Sequence, residues 1–72
     1  MEKDLNTSFN AVIDALYLNN KAMRVTFVCR NQKPKTYPVS VWKSLAKSFK
    51  DFKAIKIVTD DAKRATIYCV HI

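Results

Sequence analysis

The residues of this chain whose types could do chemistry are mostly lysines. Residues 33–53 contain six lysines and one acid, Asp51. Within that stretch Lys43, Lys47 and Lys50 stand at i, i+4 and i+7, which predicts a row of ammonium groups along one helix face. Lysine supplies a point charge rather than the planar fork of arginine, so this pattern favours attraction to phosphates over the reading of bases.

Further cations and one aromatic residue extend this candidate surface. Lys33 and Lys35 flank a proline in a predicted turn and belong to its rim. The other candidates are on predicted strands, and they are Arg24, Arg30, Lys56 and Tyr68. A tyrosine among cations can stack an unpaired base while the cations hold its phosphates.

The groups needed for catalysis or for a metal are sparse. His71 is the one histidine, and with Cys29 and Cys69 it is too few for a structural zinc site, which takes four ligands. Asp60 and Asp61 are better read as turn residues than as a catalytic pair. The chain has no glycine, which the usual phosphate-binding loops require. We therefore expect no enzyme, no metal site and no cofactor.

The charge of the chain is large and unevenly distributed. The formal net charge is +7 over 72 residues. Residues 1–20 carry −2, residues 21–59 carry +9 and residues 60–72 are neutral. This asymmetry favours an anionic partner, either nucleic acid (DNA or RNA) or an acidic protein surface. The absence of a long apolar run and of a leader pattern predicts no membrane span, and two cysteines without a disulfide framework predict a cytoplasmic protein.

The hydrophobic periodicity predicts two helices and four strands. Helices are expected over 5–18, with Asp4 as N-cap and Asn6, Thr7 or Ser8 as alternatives, and over 41–50, capped by Ser40. Strands are expected at 22–30, 36–39, 54–59 and 64–72. Turns without glycine are expected at residues that tolerate them, which are Asn19, Asn20, Asn31, Pro34, Asp60 and Asp61.

The order of these elements, α-β-β-α-β-β, predicts the fold class. We expect a single α+β domain over 1–72, a two-layer sandwich of a four-stranded antiparallel sheet with both helices on one face. The halves 5–39 and 40–72 align weakly at an offset of 32, as in "KAMRV" over "KAIKI", so they are a possible duplication.

Alternation along the strands predicts one covered and one open face of the sheet. The residues expected to face the helices are Met23, Val25, Phe27, Cys29, Ile55, Ile57, Ile67 and Cys69. The residues expected on the open face are Arg24, Thr26, Val28, Arg30, Lys56, Val58, Thr66, Tyr68 and Val70. That open face mixes cations with apolar side chains, which suits either a ligand or the seam of a homodimer.

Two functions from different classes are compatible with the sequence. The first is a small basic binding module that contacts nucleic acid through phosphates with little sequence readout. The alternative is a small phage- or mobile-element-type protein that binds an acidic host protein surface and inhibits or adapts it. In the second case the positive charge would speed association with the protein partner.

Overall fold

The computed structural model describes residues 2–61 and 63–72, which form two α-helices and a five-stranded mixed sheet. In chain order the elements are β1 Glu2–Ser8, α1 Phe9–Asn19, β2 Arg24–Cys29, β3 Lys35–Pro38, α2 Val39–Leu45, a 3-10 helix Ala46–Phe49, β4 Phe52–Asp60 and β5 Arg64–His71. The α+β class is confirmed. The prediction of four antiparallel strands in the order α-β-β-α-β-β is wrong, because an additional strand precedes the first helix and one pair of strands is parallel.

The additional strand β1 occupies residues that were assigned to the first helix. The Ser8 hydroxyl accepts a hydrogen bond from the Ala11 N–H at 3.2 Å, and its backbone is extended at φ −65° and ψ 147°. Ser8 is therefore the N-cap, one of the predicted alternatives, and Asp4 is not. Because α1 begins after Ser8 and not after Asp4, Leu5 lies in β1 and packs against the core from a strand.

The second helix is shorter and begins earlier than predicted. Val39, expected to end a strand, is the first residue of α2 and is fully buried. Pro38 precedes it with φ −57°, a value suited to a helix start, and Ser40 is not the cap. After Leu45 the helix tightens to a 3-10 helix that ends at Phe49. The predicted single helix over 41–50 is therefore wrong.

The sheet order is β1-β4-β5-β2-β3, with β5 and β2 parallel and the other neighbours antiparallel. Two helical crossovers connect parallel strands that are not neighbours: β1-α1-β2 and β3-α2-β4. β1 and β3 run in opposite directions, and the two connections cross the sheet in opposite directions. Because both reversals occur together, two right-handed crossovers place both helices on the same face of the sheet. The burial pattern agrees, since the buried side chains of both helices and of alternate strand residues form one hydrophobic cluster.

That cluster contains most of the residues predicted to face the helices. Ile55 is the exception, because it is 40% exposed. The pairing of β4 with β5 shifts register between Ala54 and Lys56, so Ile55 lies in a β-bulge and the alternation restarts after it. Lys56 and Val58 consequently lie on the predicted open face. The possible duplication of the two halves stays a prediction.

The predicted turn residues include both positive-φ residues of the structure. Asn31, after β2, has φ 68°, and Asp61, after β4, has φ 50°. Asparagine and aspartate enter this left-handed region at a lower cost than other residues with a side chain. Asn20, as predicted, ends α1, and its N–H donates to the Leu16 carbonyl at 2.8 Å.

Candidate nucleic-acid interface

The strand directions bring six cations to one end of the sheet, which we call the basic end. At this end β2 and β5 finish, β3 and β4 begin, and the 3-10 helix terminates. The cations on these segments are Arg30, Lys33, Lys35, Lys47, Lys50 and Lys53. The register supports this placement, because Lys35 is opposite Phe27 near the end of β2 and Lys53 is opposite Val70 near the end of β5.

Specific contacts hold these segments together at the basic end. The Lys35 ammonium lies 5.5 Å from the ring centroid of Phe49, which links β3 to the 3-10 helix. The Ile72 N–H donates to the Asp51 carbonyl at 2.7 Å and fixes the turn before β4 against the end of β5. The segments that carry the six cations are therefore held in place relative to one another.

The charge of the basic end is not compensated by ion pairs. Five of its six cations are exposed and Lys53 is half-buried, while Asp51 is the one acidic side chain on the described segments there. Over residues 2–61 and 63–72, the ion pairs within 4.0 Å all lie elsewhere: Lys43–Asp14 at 3.1 Å, Lys56–Glu2 at 3.2 Å and Arg64–Asp60 at 3.3 Å.

The predicted lysine row is kept only in part as a helical stripe. Lys43 lies on α2, Lys47 lies on the 3-10 helix and Lys50 lies beyond it. In a 3-10 helix, with about 3.0 residues per turn, side chains at i and i+3 lie one above the other, so Lys47 and Lys50 stay in line. Lys43 leaves the row, because the change from about 3.6 to about 3.0 residues per turn lies between it and Lys47. Lys43 is separated from the basic end by its ion pair with Asp14 and its position 5.0 Å from the Tyr17 ring.

The structure brings five of the predicted cations together at the basic end and adds a sixth. Lys33, Lys35, Lys47 and Lys50 all belong to the basic end, as does Arg30 from the second group of candidates. The added cation is Lys53. The predicted strand began at residue 54, so position 53 was not expected to pair with another strand. β4 begins two residues earlier, at Phe52, and therefore includes Lys53.

The remaining candidates lie on the open face, where the register places them in two regions. Lys56 pairs across from Tyr68, and its ammonium lies 5.4 Å from the tyrosine ring centroid. The same ammonium is 3.2 Å from Glu2, so part of its charge is compensated. Arg24 lies beside Arg64 at the opposite end of the sheet, away from the basic end.

The two cysteines are neighbours but are poorly suited to reaction. Cys29 and Cys69 are paired in the parallel register and both are buried. Burial, with a smaller contribution from Cys29, raises the pKa of the Cys69 thiol to about 12. A thiol that stays protonated is a weak nucleophile and a weak metal ligand. Within the described residues, no three His, Cys, Asp or Glu side chains are grouped to hold a metal ion.

Three comparisons with known proteins return no match. No family model, no curated protein and no solved structure matches the chain. Among residues 2–61 and 63–72, no helix has the length and apolar character needed to cross a membrane.

Proposed function

We propose that the protein is a small non-enzymatic module that binds nucleic acid, DNA or RNA, through phosphates at the basic end. One observation carries this proposal: the basic end has six cationic side chains and one acidic side chain, and none of the six cations forms an ion pair with a described residue. A concentrated, uncompensated positive charge attracts polyanions and displaces their condensed counterions.

The composition of the basic end favours contact without sequence readout. Five of its six cations are lysines, and Arg30 is the exception. Ammonium groups on flexible stems contact phosphate oxygens from many directions but do not match the paired acceptors of one base. We therefore expect affinity that depends strongly on salt and weakly on sequence.

A salt titration tests the proposal directly. A labelled oligonucleotide would be titrated with the protein at several salt concentrations, and fluorescence anisotropy would report binding. If all six cations neutralise a phosphate, the logarithm of affinity falls against the logarithm of salt with a slope of about −5 for duplex or about −4 for single strand. Absence of binding at low salt to both forms would contradict the proposal.

A pair of charge-reversal variants separates the basic end from the overall charge. Lys47→Glu with Lys50→Glu changes the basic end, and Lys21→Glu with Lys63→Glu makes the same change in net charge at the opposite end. All four side chains are exposed, so both variants should fold, which circular dichroism would verify. We expect the first variant to bind roughly tenfold or more weakly and the second to lose clearly less. Equal losses would show that net charge alone is responsible.

An acidic protein surface is the second candidate partner. The exposed apolar side chains of the open face would supply the contact area for such a protein. Tyr68 and Val70 are 38% and 39% exposed on the central strand β5. A small phage- or mobile-element-type protein could dock this face on a host protein, with its cations steering the encounter. A pull-down that keeps its partner after nuclease treatment would favour this function over the first.

Two further parts of the proposal concern assembly and location. The open face could instead be covered by a second copy of the chain, and sedimentation at several concentrations would detect such a homodimer. A cytoplasmic location is favoured by two thiols that are free rather than joined in a disulfide.

A further inference from the structure

We infer that the nucleic acid bound by this protein is single-stranded and continues from the basic end onto the open face, where one base stacks on Tyr68. This inference rests on the proposed function and specifies its ligand. It assigns a path: phosphates contact Lys53 and Arg30, and the adjoining base contacts the tyrosine ring.

The sheet register defines this path. On the open face Val70 of β5 lies between Lys53 of β4 and the position that follows Cys29 in β2, which is Arg30. Tyr68 is two residues before Val70 and therefore shares its face. The distance along β5 between these two positions is about 7 Å, which is close to one step of an extended polynucleotide. A phosphate between the two cations thus brings a neighbouring base to the ring.

Tyr68, which is 38% exposed, has neighbours of different kinds on its two sides. On the β4 side the Lys56 ammonium lies 5.4 Å from the ring centroid and is held by Glu2 at 3.2 Å. On the β2 side the neighbour is Val28, whose side chain is much shorter than a tyrosine. A base resting on Val28 would approach the ring from the side away from the strand that carries Lys56, and every base has a π-face that can stack in this way.

The width of the sheet argues against a duplex on this face. Tyr68 is on the central strand, with two strands on each side, so the sheet is about 19 Å across at strand spacings of about 4.8 Å. The major groove of a duplex is about 12 Å wide and admits a helix or a two-stranded ribbon. The ring therefore cannot reach base edges inside a groove. In a single strand the bases can turn outward to meet it.

Tyr37 provides a matched control for Tyr68. Both side chains are 38% exposed, and both are on strands of the same sheet. Tyr37, however, is opposite the buried Val25 on the helix-covered side, and its ring packs edge-on against Trp42 at 5.2 Å. It has the same exposed fraction but no path from the basic end along the open face.

The test compares two tyrosine variants on two ligands. Labelled oligothymidylate and a duplex of the same length would be titrated at one low salt concentration. We expect the unaltered protein to prefer the single strand. Tyr68→Ala should weaken single-strand binding roughly 5- to 100-fold and change duplex binding less than twofold. Tyr68→Phe should keep the affinity, and Tyr37→Ala should change neither ligand by more than about twofold.

The outcomes distinguish failure of this inference from failure of the proposed function. If Tyr68→Ala binds the single strand normally while the Lys47/Lys50 reversal does not, the stacking inference falls and phosphate binding stands. A preference for duplex also overturns the inference, as does a dimer that dissociates when Tyr68 is replaced. If neither ligand binds, both proposals fall. Should Tyr68→Ala fail to fold, Tyr68→Leu retains the apolar bulk without a stacking face and decides the same question.

Discussion

The two ends of the sheet have similar architecture but differ in net charge. The opposite end carries four basic residues (Lys21, Arg24, Lys63 and Arg64) and three acidic ones (Glu2, Asp60 and Asp61), and Arg64 is paired with Asp60 at 3.3 Å. The basic end carries six cations and Asp51. A hairpin turn with a positive-φ residue is present at each end. The excess charge is therefore localised at one end of the sheet.

The path of the chain explains how this sorting occurs. The lysine-rich stretch 33–53 leaves the basic end along β3, returns along α2 and re-enters the sheet as β4. Its first two and last three lysines consequently meet at the same end, while Lys43, in the middle, is on the helix beside Asp14. Density of charge in the sequence becomes density on the surface because β3 and α2 run in opposite directions.

The largest expected effect comes from breaking the scaffold that supports the basic end. The Phe27 ring contacts the rings of Phe49 and Phe52, with centroids at 5.0 and 5.3 Å, and these residues flank the turn containing Lys50. Phe27→Ala should lower the free energy of unfolding by about 3–5 kcal/mol. Urea denaturation measures this change. Ile55→Ala, at the exposed bulge, should cost less than about 1 kcal/mol, and equal costs would contradict the assigned core.

A smaller effect on stability is expected from the buried residues of β5, which differ at the two ends of the sheet. Cys69 lies beneath the basic end, whereas Ala65 occupies the corresponding buried position of β5 at the opposite end. Burial raises the pKa of Cys69 from 9.0 to about 12. The buried, protonated thiol therefore contributes fully to the free energy of unfolding below pH 9, and this contribution is lost as the pH rises toward 12.

Between pH 7.5 and pH 10.5 the native protein should therefore lose on the order of 1–2 kcal/mol more unfolding free energy than Cys69→Ala. Urea midpoints of both proteins at the two pH values give the difference. If the two proteins show the same alkaline loss, the thiol is not the cause.

The smallest effect tests the similarity of the ends rather than their difference. Asn31 and Asp61 have φ values of 68° and 50° in turns at the two ends. Asn31→Ala and Asp61→Ala should each cost about 1 kcal/mol, because a Cβ without a local hydrogen-bonding group makes this conformation less favourable. Thermal unfolding measures the loss. Replacement of either residue by glycine should restore stability, and an alanine variant as stable as the native protein would argue against a strained turn.

The parts of the fold that could be predicted were those with a local physical signal. Alternation identified β2 and β5 and most of their buried residues, since one face of each is covered. The turn residues at 31 and 61 were identifiable because few residues tolerate their backbone angles. The end of α1 followed from Asn20 for another reason: its side-chain oxygen accepts a hydrogen bond from the Ala22 N–H at 3.1 Å, an interaction that competes with the helical backbone.

The features that were missed depend on distant parts of the chain. β1 is polar and largely exposed, so its residues resemble a frayed helix start until β4 is available to pair with it. The parallel pairing of β2 with β5 joins segments about forty residues apart. The basic end was only partly visible for the same reason: the lysines could be listed, but which of them meet is decided by the directions of β3, α2 and β4.

The central position of β5 affects how the molecule is assembled. This strand is the fifth along the chain, yet it lies between β4 and β2 and joins the β1–β4 pair to the β2–β3 pair. Before it is inserted, the polypeptide can form two separate ribbons with unsatisfied edges but not one continuous sheet. Such non-local closure slows folding and leaves a nascent chain open to mispairing until β5 has been synthesised.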